Sequence, residues 1–283
     1  MAGALDRIER DVAALEEAIA TIATEFDRAY ASYREILGRA ARQQLILACF
    51  HICTQAYPES FLKLNFSQRE HLQQKIRQIA DWGKQELEQL GGGIHSELQA
   101  DETPTATDPF PEELVDTDSM LSLPTPNEPF EEDDSSLSPP ERVMSWQQQM
   151  EMAIAQILQT LSDRANRLLQ QSGILTERLP ATILEAAKAE GLDAVGGVPN
   201  LLNLTIETEN AENPDLPNVT HIVAINLRLA EIELAEPNCS AWRTQIRQLS
   251  HRLKSLAQQY ERKRNEQAVA QAESAWRSSW FDG

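Results

Sequence analysis

A heptad pattern near the start of the chain sets the strongest limit on how this sequence can fold. Apolar residues recur at alternating steps of three and four between positions 5 and 36, and the intervening positions are mostly Glu, Asp, Arg, Ala and Thr. That spacing places one narrow apolar seam along a single helix face, and the seam needs a partner surface. It predicts either a coiled-coil self-association or an antiparallel bundle within one chain. The seam consists of Leu5, Ile8, Val12, Leu15, Ile19, Ile22, Phe26, Ala29, Tyr33 and Ile36.

Two further helices are predicted after this seam. Residues 39–56 are apolar around much of the helix circumference, so we expect them to form a separate, buried helix. A third helix is expected to start near Ser67, because Glu70 three residues later completes a capping box. It should stop at the glycines 91–93. Residues 1–91 are therefore predicted to form a helical domain.

The acidity of the chain is concentrated in one stretch. The net charge is −19, yet residues 91–140 hold 13 acidic residues and no Lys or Arg, so the rest of the chain carries only −6. The same stretch holds eight of the 14 prolines. Such a composition cannot bury enough apolar area to offset the entropy of ordering. It predicts a disordered acidic linker at 92–140.

Two apolar islands interrupt this predicted linker. They are FPEELV at 110–115 and SMLSLP at 119–124. Leu121 and Leu123 of the second island are candidate partner-binding residues, since short apolar motifs in acidic segments can dock on other proteins. The alternative is that the islands have no role.

A second helical domain is predicted at 141–283. Its first helix should end at Gly173, which suits a C-terminal cap. Residues 201–210 alternate like a strand, whereas apolar steps of three and four favour a helix over 219–236. A short β-hairpin near 201–227 is the alternative.

The last predicted helix, capped by Asn238, has a second heptad and a marked positive charge. Residues 243–264 hold seven cations against one acid. A basic helix can follow the phosphates of a nucleic acid, but this one lacks interleaved aromatic residues and the whole chain is acidic. A solvated face, or contact with an acidic partner such as the linker, therefore ranks ahead of nucleic-acid binding. The basic face comprises Arg243, Arg247, Arg252, Lys254, Arg262, Lys263 and Arg264.

Three aromatic residues lie among the last eight positions, Trp276, Trp280 and Phe281. In a helix the two Trp side chains would share one face. They dock either on the protein's own body or on another protein, where Trp is enriched at binding hot spots. We expect Trp276, which follows Ala272 and Ala275, to pack internally and Trp280 to contact a partner.

No arrangement of reactive residues predicts an enzyme. The sequence has no phosphate loop, no GxGxxG and no GxSxG, and its five histidines fall in no metal or triad motif. Cys49 and Cys53 lie one helical turn apart in CFHIC, but a zinc site needs about four ligands. We expect two buried structural thiols, and we assign no catalytic, cofactor or metal residue.

The start of the chain and its cysteines predict a cytoplasmic protein. MAGALDRIERD is charged within six residues, and the longest apolar run, at 45–53, is too short for a membrane span. Three cysteines do not form a disulfide framework. The expected function is a non-enzymatic scaffold or adaptor that self-associates and binds protein partners. The alternative is a nucleic-acid-associated regulator that uses the basic helix.

Three phrases of the sequence resemble a known group of proteins. CTQAYPESFLKLNFSQREHLQQ, LRLAEIELAEPNCSAWRTQIRQL and the ending AESAWRSSW are similar to a group of cytosolic cyanobacterial helical proteins to which no function is assigned. The resemblance covers both helical parts and omits the acidic linker. It implies a bacterial cytoplasmic setting and carries over no site residue.

Overall fold

The computed structural model describes residues 2–91, 137–175, 198–208 and 218–280. Over these residues the protein is mainly helical with one two-stranded antiparallel sheet, which confirms the predicted fold class. Most of the predicted linker, 92–136, lies outside the described residues. The elements are α1 (Ala2–His51), a π-helical turn (Ile52–Ala56), α2 (Pro58–Lys63), α3 (Phe66–Gln89), α4 (Pro139–Gln171), β1 (Leu201–Thr208), β2 (Asn218–Ile225), α5 (Leu229–Ala235) and α6 (Pro237–Trp280).

The first helix, α1, is continuous over 50 residues, so the separate helix predicted at 39–56 is wrong. Gly38 lies at the predicted boundary without ending the helix. A Cβ built on Gly38 would lie 3.0 Å from the carbonyl oxygen of Lys84 in α3. Gly38 therefore allows α1 and α3 to approach closely, so a glycine in a helical sequence does not always mark the end of the helix.

Six of the ten residues of the heptad seam are buried and the other four are partly buried, and α1 packs chiefly against α6 of the same chain. Along the interface, rising residue numbers in one helix meet falling numbers in the other, so the two helices are antiparallel. Of the two alternatives that the heptad left open, the structure contains the bundle within one chain. The side-chain pairs that define the order are Glu25 with Arg252, Glu16 with Tyr260, and Asp11 with Lys263.

Helix α3 begins with a capping box, but a different one from the predicted box. The backbone N–H of Gln68 donates to Asn65 Oδ1, and the N–H of Asn65 donates to Gln68 Oε1, each at 2.8 Å. The predicted pair of Ser67 and Glu70 is wrong because Ser67 already lies inside the first turn. The predicted end of the helix before the glycines is confirmed, since α3 ends at Gln89.

Helix α4 begins and ends at caps that the sequence encodes. Ser138 is the N-cap, and its backbone N–H donates to Glu141 at 2.8 Å. Gly173 has a φ of +70°, which confirms its predicted role as the C-terminal cap. In its C-terminal half, α4 packs on α3 where a Cβ added to Gly83 would clash with the Leu161 side chain.

The sheet is a hairpin of β1 and β2, paired from Leu201 with Ile225. The predicted helix over 219–236 is therefore wrong in its first half, and α5 occupies the second half. Long-range contacts explain the difference. The Asn166 side chain of α4 donates to the Ile225 carbonyl oxygen and accepts from its N–H, both at 2.8 Å. Ser162 Oγ accepts from the N–H of Leu227 at 2.9 Å.

Helix α6 begins at Pro237, and the predicted cap at Asn238 is wrong. Pro237 suits a first helical position, where its missing N–H has no partner to lose. Asn238 thus lies inside the first turn, and its side-chain amide donates to Glu236 at 2.9 Å.

Buried side chains on both sides of the linker belong to one hydrophobic cluster. Trp146 of α4, for example, packs edge-to-face on Tyr30 of α1 with ring centroids 5.3 Å apart. The predicted domains 1–91 and 141–283 therefore share a core. Each part covers apolar surface of the other.

Candidate functional site

An apolar groove of about 420 Å³ lies between the C-terminal part of α1 and the first half of α3. Among its lining residues, Cys49, Cys53, Leu72 and Ile76 are buried. Apolar pockets of a few hundred Å³ are typical binding sites for ligands and for the anchoring side chains of partners. Its size and apolar lining make the groove a candidate binding site.

The π-helical turn shapes one end of the groove. The N–H of Tyr57 donates to the carbonyl oxygen of Ile52 at 2.9 Å, and this wider turn ends the long helix. The Tyr57 hydroxyl accepts from the N–H of Val223 at 2.9 Å, which fastens the turn to β2. Pro58 then starts α2 in a new direction. Single π-helical turns are frequent at functional sites.

The two thiols of the groove are chemically quiet. Burial raises the pKa of Cys53 to about 11. Burial, with a smaller effect from the neighbouring Cys53, also raises the pKa of Cys49. Both groups are therefore protonated at neutral pH, whereas the thiolate is the nucleophilic form. Both thiols are buried, as expected from the sequence.

The rim of the groove combines aromatic rings with cations. Phe50 is 55% exposed, and Arg77 lies exposed on the α3 side. The Arg69 guanidinium lies 5.4 Å from the ring centre of Phe61, which is within range of a cation–π contact. Arg69 also donates to the carbonyl oxygen of Leu62 at 2.7 Å, so it holds α2 beside the groove.

Further apolar side chains are exposed at the same end of the molecule. They are Leu47 on α1, Leu62 on α2 and Phe66, which is 81% exposed, on α3. The expectation that the whole helix at 39–56 is buried is therefore wrong for Leu47 and Phe50. The sequence did carry a signal, because this segment has more apolar residues than one buried face needs.

The groove also lies in a positively charged part of an acidic chain. Residues 58–77, which include α2 and the first half of α3, contain four cationic residues and two acidic residues. The net charge of the whole chain is −19. The cations are Lys63, Arg69, Lys75 and Arg77.

Arg243, a member of the predicted basic face, is buried. It is 9% exposed and donates to Glu151 at 2.5 Å, to Glu233 at 2.6 Å and to the Tyr33 hydroxyl at 2.8 Å. Burial acts to lower the pKa of Arg243, but the hydrogen bonds and charges of these partners raise it overall. The side chain points inward because Arg243 precedes Ile246 by three residues and so shares its buried face.

The other basic-face residues lie at the surface in differing surroundings. Arg252 pairs with Glu25 at 2.8 Å, and Lys263 lies 3.2 Å from Asp11. These acids offset part of the charge that would attract phosphates. The remaining members are exposed and are Arg247, Lys254, Arg262 and Arg264. The structure therefore does not unite the seven cations on one surface.

Trp276 is 67% exposed, so the expectation that it packs internally is wrong. The antiparallel pairing of α1 and α6 explains this exposure. From the contact of Lys263 with Asp11, α6 continues for 13 residues to Trp276, or about 20 Å. In the opposite helix α1 continues for only nine residues to Ala2, or about 14 Å. Trp276 thus lies about one turn beyond the described end of its partner helix.

The side chains of the remaining partner-binding candidates lie outside the part of the protein that the structure describes. The side chain of Trp280 and all of Phe281 lie outside the described residues, as do Leu121 and Leu123. The groove residues were absent from the candidates predicted from sequence, since they come from four elements that only the fold brings together.

Two properties of the described residues bear on other functions. They contain no group of three or more His, Cys, Asp or Glu side chains that could hold a metal ion. Within these residues, no helix combines the length and the apolar character that crossing a membrane requires.

Comparison with known proteins does not add a family. The chain matches no protein-family model, no curated protein and no solved structure. The resemblance to cyanobacterial proteins therefore stays a prediction.

Proposed function

We propose that the protein is a non-enzymatic adaptor that binds a partner protein in the groove between α1 and α3. The observation that carries the proposal is the 420 Å³ apolar groove with the half-exposed Phe50 at its rim. Large exposed apolar residues that surround a pocket are typical of protein interaction sites. Leu47, Leu62 and Phe66 are further exposed apolar residues on the three helices that supply the groove.

The chemistry of the groove favours binding over catalysis. Its thiols are protonated at neutral pH because burial raises their pKa values. The polar groups that line it are Thr54, Gln73 and Arg77, which form neither an acid–base pair nor a nucleophile with its base.

The charges at the rim favour a partner segment with acidic residues beside its apolar anchors. Arg77 lines the groove and Arg69 lies on Phe61 next to it. Complementary charges at a rim raise the rate of association and select the partner. The bound segment is therefore expected to insert one or two large apolar side chains and to place carboxylates near these two arginines.

Self-association through the 5–36 seam does not form part of the proposal. Seam residues such as Ile19, Phe26 and Tyr33 are buried in the core of the single chain. Exposing them would open the contact between α1 and α6.

The test compares three versions of the protein in capture from a native cytosol. Wild type, Phe50→Ser and Leu234→Ser would each be used as bait, since Leu234 is 82% exposed on α5 and controls for the loss of an exposed apolar side chain. A protein captured by wild type would then be identified, purified and titrated by calorimetry.

We expect Phe50→Ser to weaken this binding at least tenfold, and Leu234→Ser to leave it unchanged. Melting temperatures would show that both variants are folded. Equal affinities for wild type and Phe50→Ser would refute the groove as the adaptor site.

A further inference from the structure

We propose that the chain's own segment 108–116, DPFPEELVD, binds the α1–α3 groove when no partner occupies it. This inference rests on the proposed function, because it takes the groove to be a peptide-binding surface. The segment would then compete with partner proteins for the groove. A partner would have to bind the groove more strongly than the tethered segment does.

The apolar residues of the segment suit the groove. Phe110 and Leu114 are four residues apart, so one helical turn presents both side chains on one side. Pro111 is compatible with the first turn of a helix. Two large anchors on one turn match a groove whose floor is formed by Leu72 and Ile76.

The charges of the segment complement those of the rim. Its acids are Asp108, Glu112, Glu113 and Asp116, and it has no cation. The rim presents Arg77 and, beside Phe61, Arg69. Opposite charges at an exposed rim attract at low salt, and salt screens this attraction.

The chain length between α3 and the segment matches the distance to the groove. Ile76 lies 13 residues before the end of α3 at Gln89, or about 20 Å along the helix. From Gly91 to Phe110 there are 19 residues, for which a flexible chain has a mean end-to-end distance of about 22–26 Å. Effective concentration is highest when the linker length matches the span.

The connection between α3 and α4 is also much longer than the fold requires. Gly83 lies beside Leu161 and Trp82 beside Arg164, and the opposite order of these two pairs shows that α3 and α4 are antiparallel neighbours. From Gly83, α3 continues for about 9 Å to its end at Gln89. From Leu161, α4 extends in the same direction for about 33 Å to its first residue, Pro139. About ten extended residues would bridge these ends. The 49 residues at 90–138 leave ample chain for the segment to reach the groove and return.

The second island, SMLSLP at 119–124, fits the groove less well. It has no carboxylate within its six residues, and only Asp118 adjoins it. It has leucines but no aromatic anchor. A peptide of this island is therefore the matched control for the segment.

The experiment measures competition within the full chain. A fluorescent peptide of residues 105–118 would be titrated with wild type and with the double variant Phe110→Ser/Leu114→Ser, and its anisotropy recorded. An effective concentration near 1 mM for the tethered segment and a peptide Kd of about 0.1 mM would produce roughly tenfold competition.

We expect the peptide to bind the double variant about tenfold more tightly than wild type, because the groove of wild type is occupied. Phe50→Ser, added to the double variant, should abolish binding, and Leu234→Ser should leave it unchanged. Raising the salt concentration should weaken binding, and the 117–125 peptide should not bind.

Three results would overturn the inference. The first is that the peptide does not bind the double variant, and the second is that it binds wild type and the double variant equally. The third is that the peptide still binds after Phe50→Ser is added, which would place its site elsewhere, for example on α6. The proposed function is judged separately, because a partner that depends on Phe50 supports it whether or not the peptide binds.

Discussion

Arg243 in the last helix donates a hydrogen bond of 2.8 Å to the hydroxyl of Tyr33 in the first helix. Its guanidinium also lies 4.7 Å from the centre of the Tyr33 ring and pairs with Glu151 and Glu233. Four helices, α1, α4, α5 and α6, therefore meet at one buried cation. The contact joins parts of the protein that lie on either side of residues 92–136.

Replacing Arg243 with Met should lower the free energy of unfolding by about 3 kcal/mol or more. Removing one partner of a buried ion pair leaves its carboxylates without compensation. Arg247→Met, an exposed change one turn away, should alter it by about 0.5 kcal/mol at most. Urea unfolding of both variants checks this. A loss below about 1 kcal/mol for Arg243→Met would show that water satisfies the two acids instead.

Gly83→Ala should destabilise the protein despite the better helix propensity of Ala. The gain from propensity is at most about 1 kcal/mol. The new Cβ would lie 2.3 Å from the buried Leu161 side chain, and overpacking costs about 1–3 kcal/mol. Gly91→Ala, where the nearest atom is 3.8 Å away, is the control. Thermal unfolding of both variants tests this prediction. A higher melting temperature for Gly83→Ala than for wild type would contradict the close contact between α3 and α4.

Trp276→Ala should change the free energy of unfolding by only about 0.5 kcal/mol, because the side chain is largely exposed. Tyr260→Ala is the comparison in the same helix, since this buried ring donates to Glu16 at 3.1 Å. Emptying a buried aromatic site costs several kcal/mol. Calorimetry of both variants tests the contrast. Similar large losses for both would mean that Trp276 packs on the protein in solution.

Stability should fall above about pH 9. Burial raises the pKa of Cys53 to about 11 and that of Cys239 to about 12, from 9.0 for an ordinary thiol. Burial also raises the pKa values of Tyr30 and Tyr33 above 10.0. Below pH 9 these groups are protonated in both the folded and the unfolded protein. Their contribution to the free energy of unfolding is therefore constant and at its maximum there. Above it, the unfolded chain releases protons that the folded protein keeps, and the free energy of unfolding decreases.

Urea titrations between pH 7 and 11 measure this effect. The decline should be shallower in Cys239→Ala, which removes one of the contributing thiols. A flat profile through pH 11 would show that the folded protein releases these protons as readily as the unfolded chain does.

Much of the secondary structure follows from local sequence. The heptad of Val12, Ile19 and Phe26 marks a helix with one buried face, and Gly173 marks a helix end. Other local signals were ambiguous. The apolar pattern at 39–56 was interpreted as a separate helix although α1 continues through it, and Ile222 fitted a helical period although it lies in a strand.

The groove was not predicted, because its parts come from different places. Cys49 and Phe50 indicated only a buried helix, and no sequence pattern around Arg77 indicated a binding site. The groove exists because α3 folds back along α1 and the π-helical turn at Ile52 opens the gap between them.

The amino-acid sequence alone determined the helical class, the seams and some helix ends such as the one at Gly173, since these depend on residues within a few positions of each other. The tertiary structure decided which surfaces meet. It showed that the seam of α1 faces α6, that Arg243 points inward and that Trp276 is exposed beyond the described end of α1. A seam specifies that an apolar face must be covered, but hydrophobic burial is non-directional and does not select the covering partner. That choice depends on contacts such as the one between Arg243 and Tyr33, which join residues more than 200 positions apart.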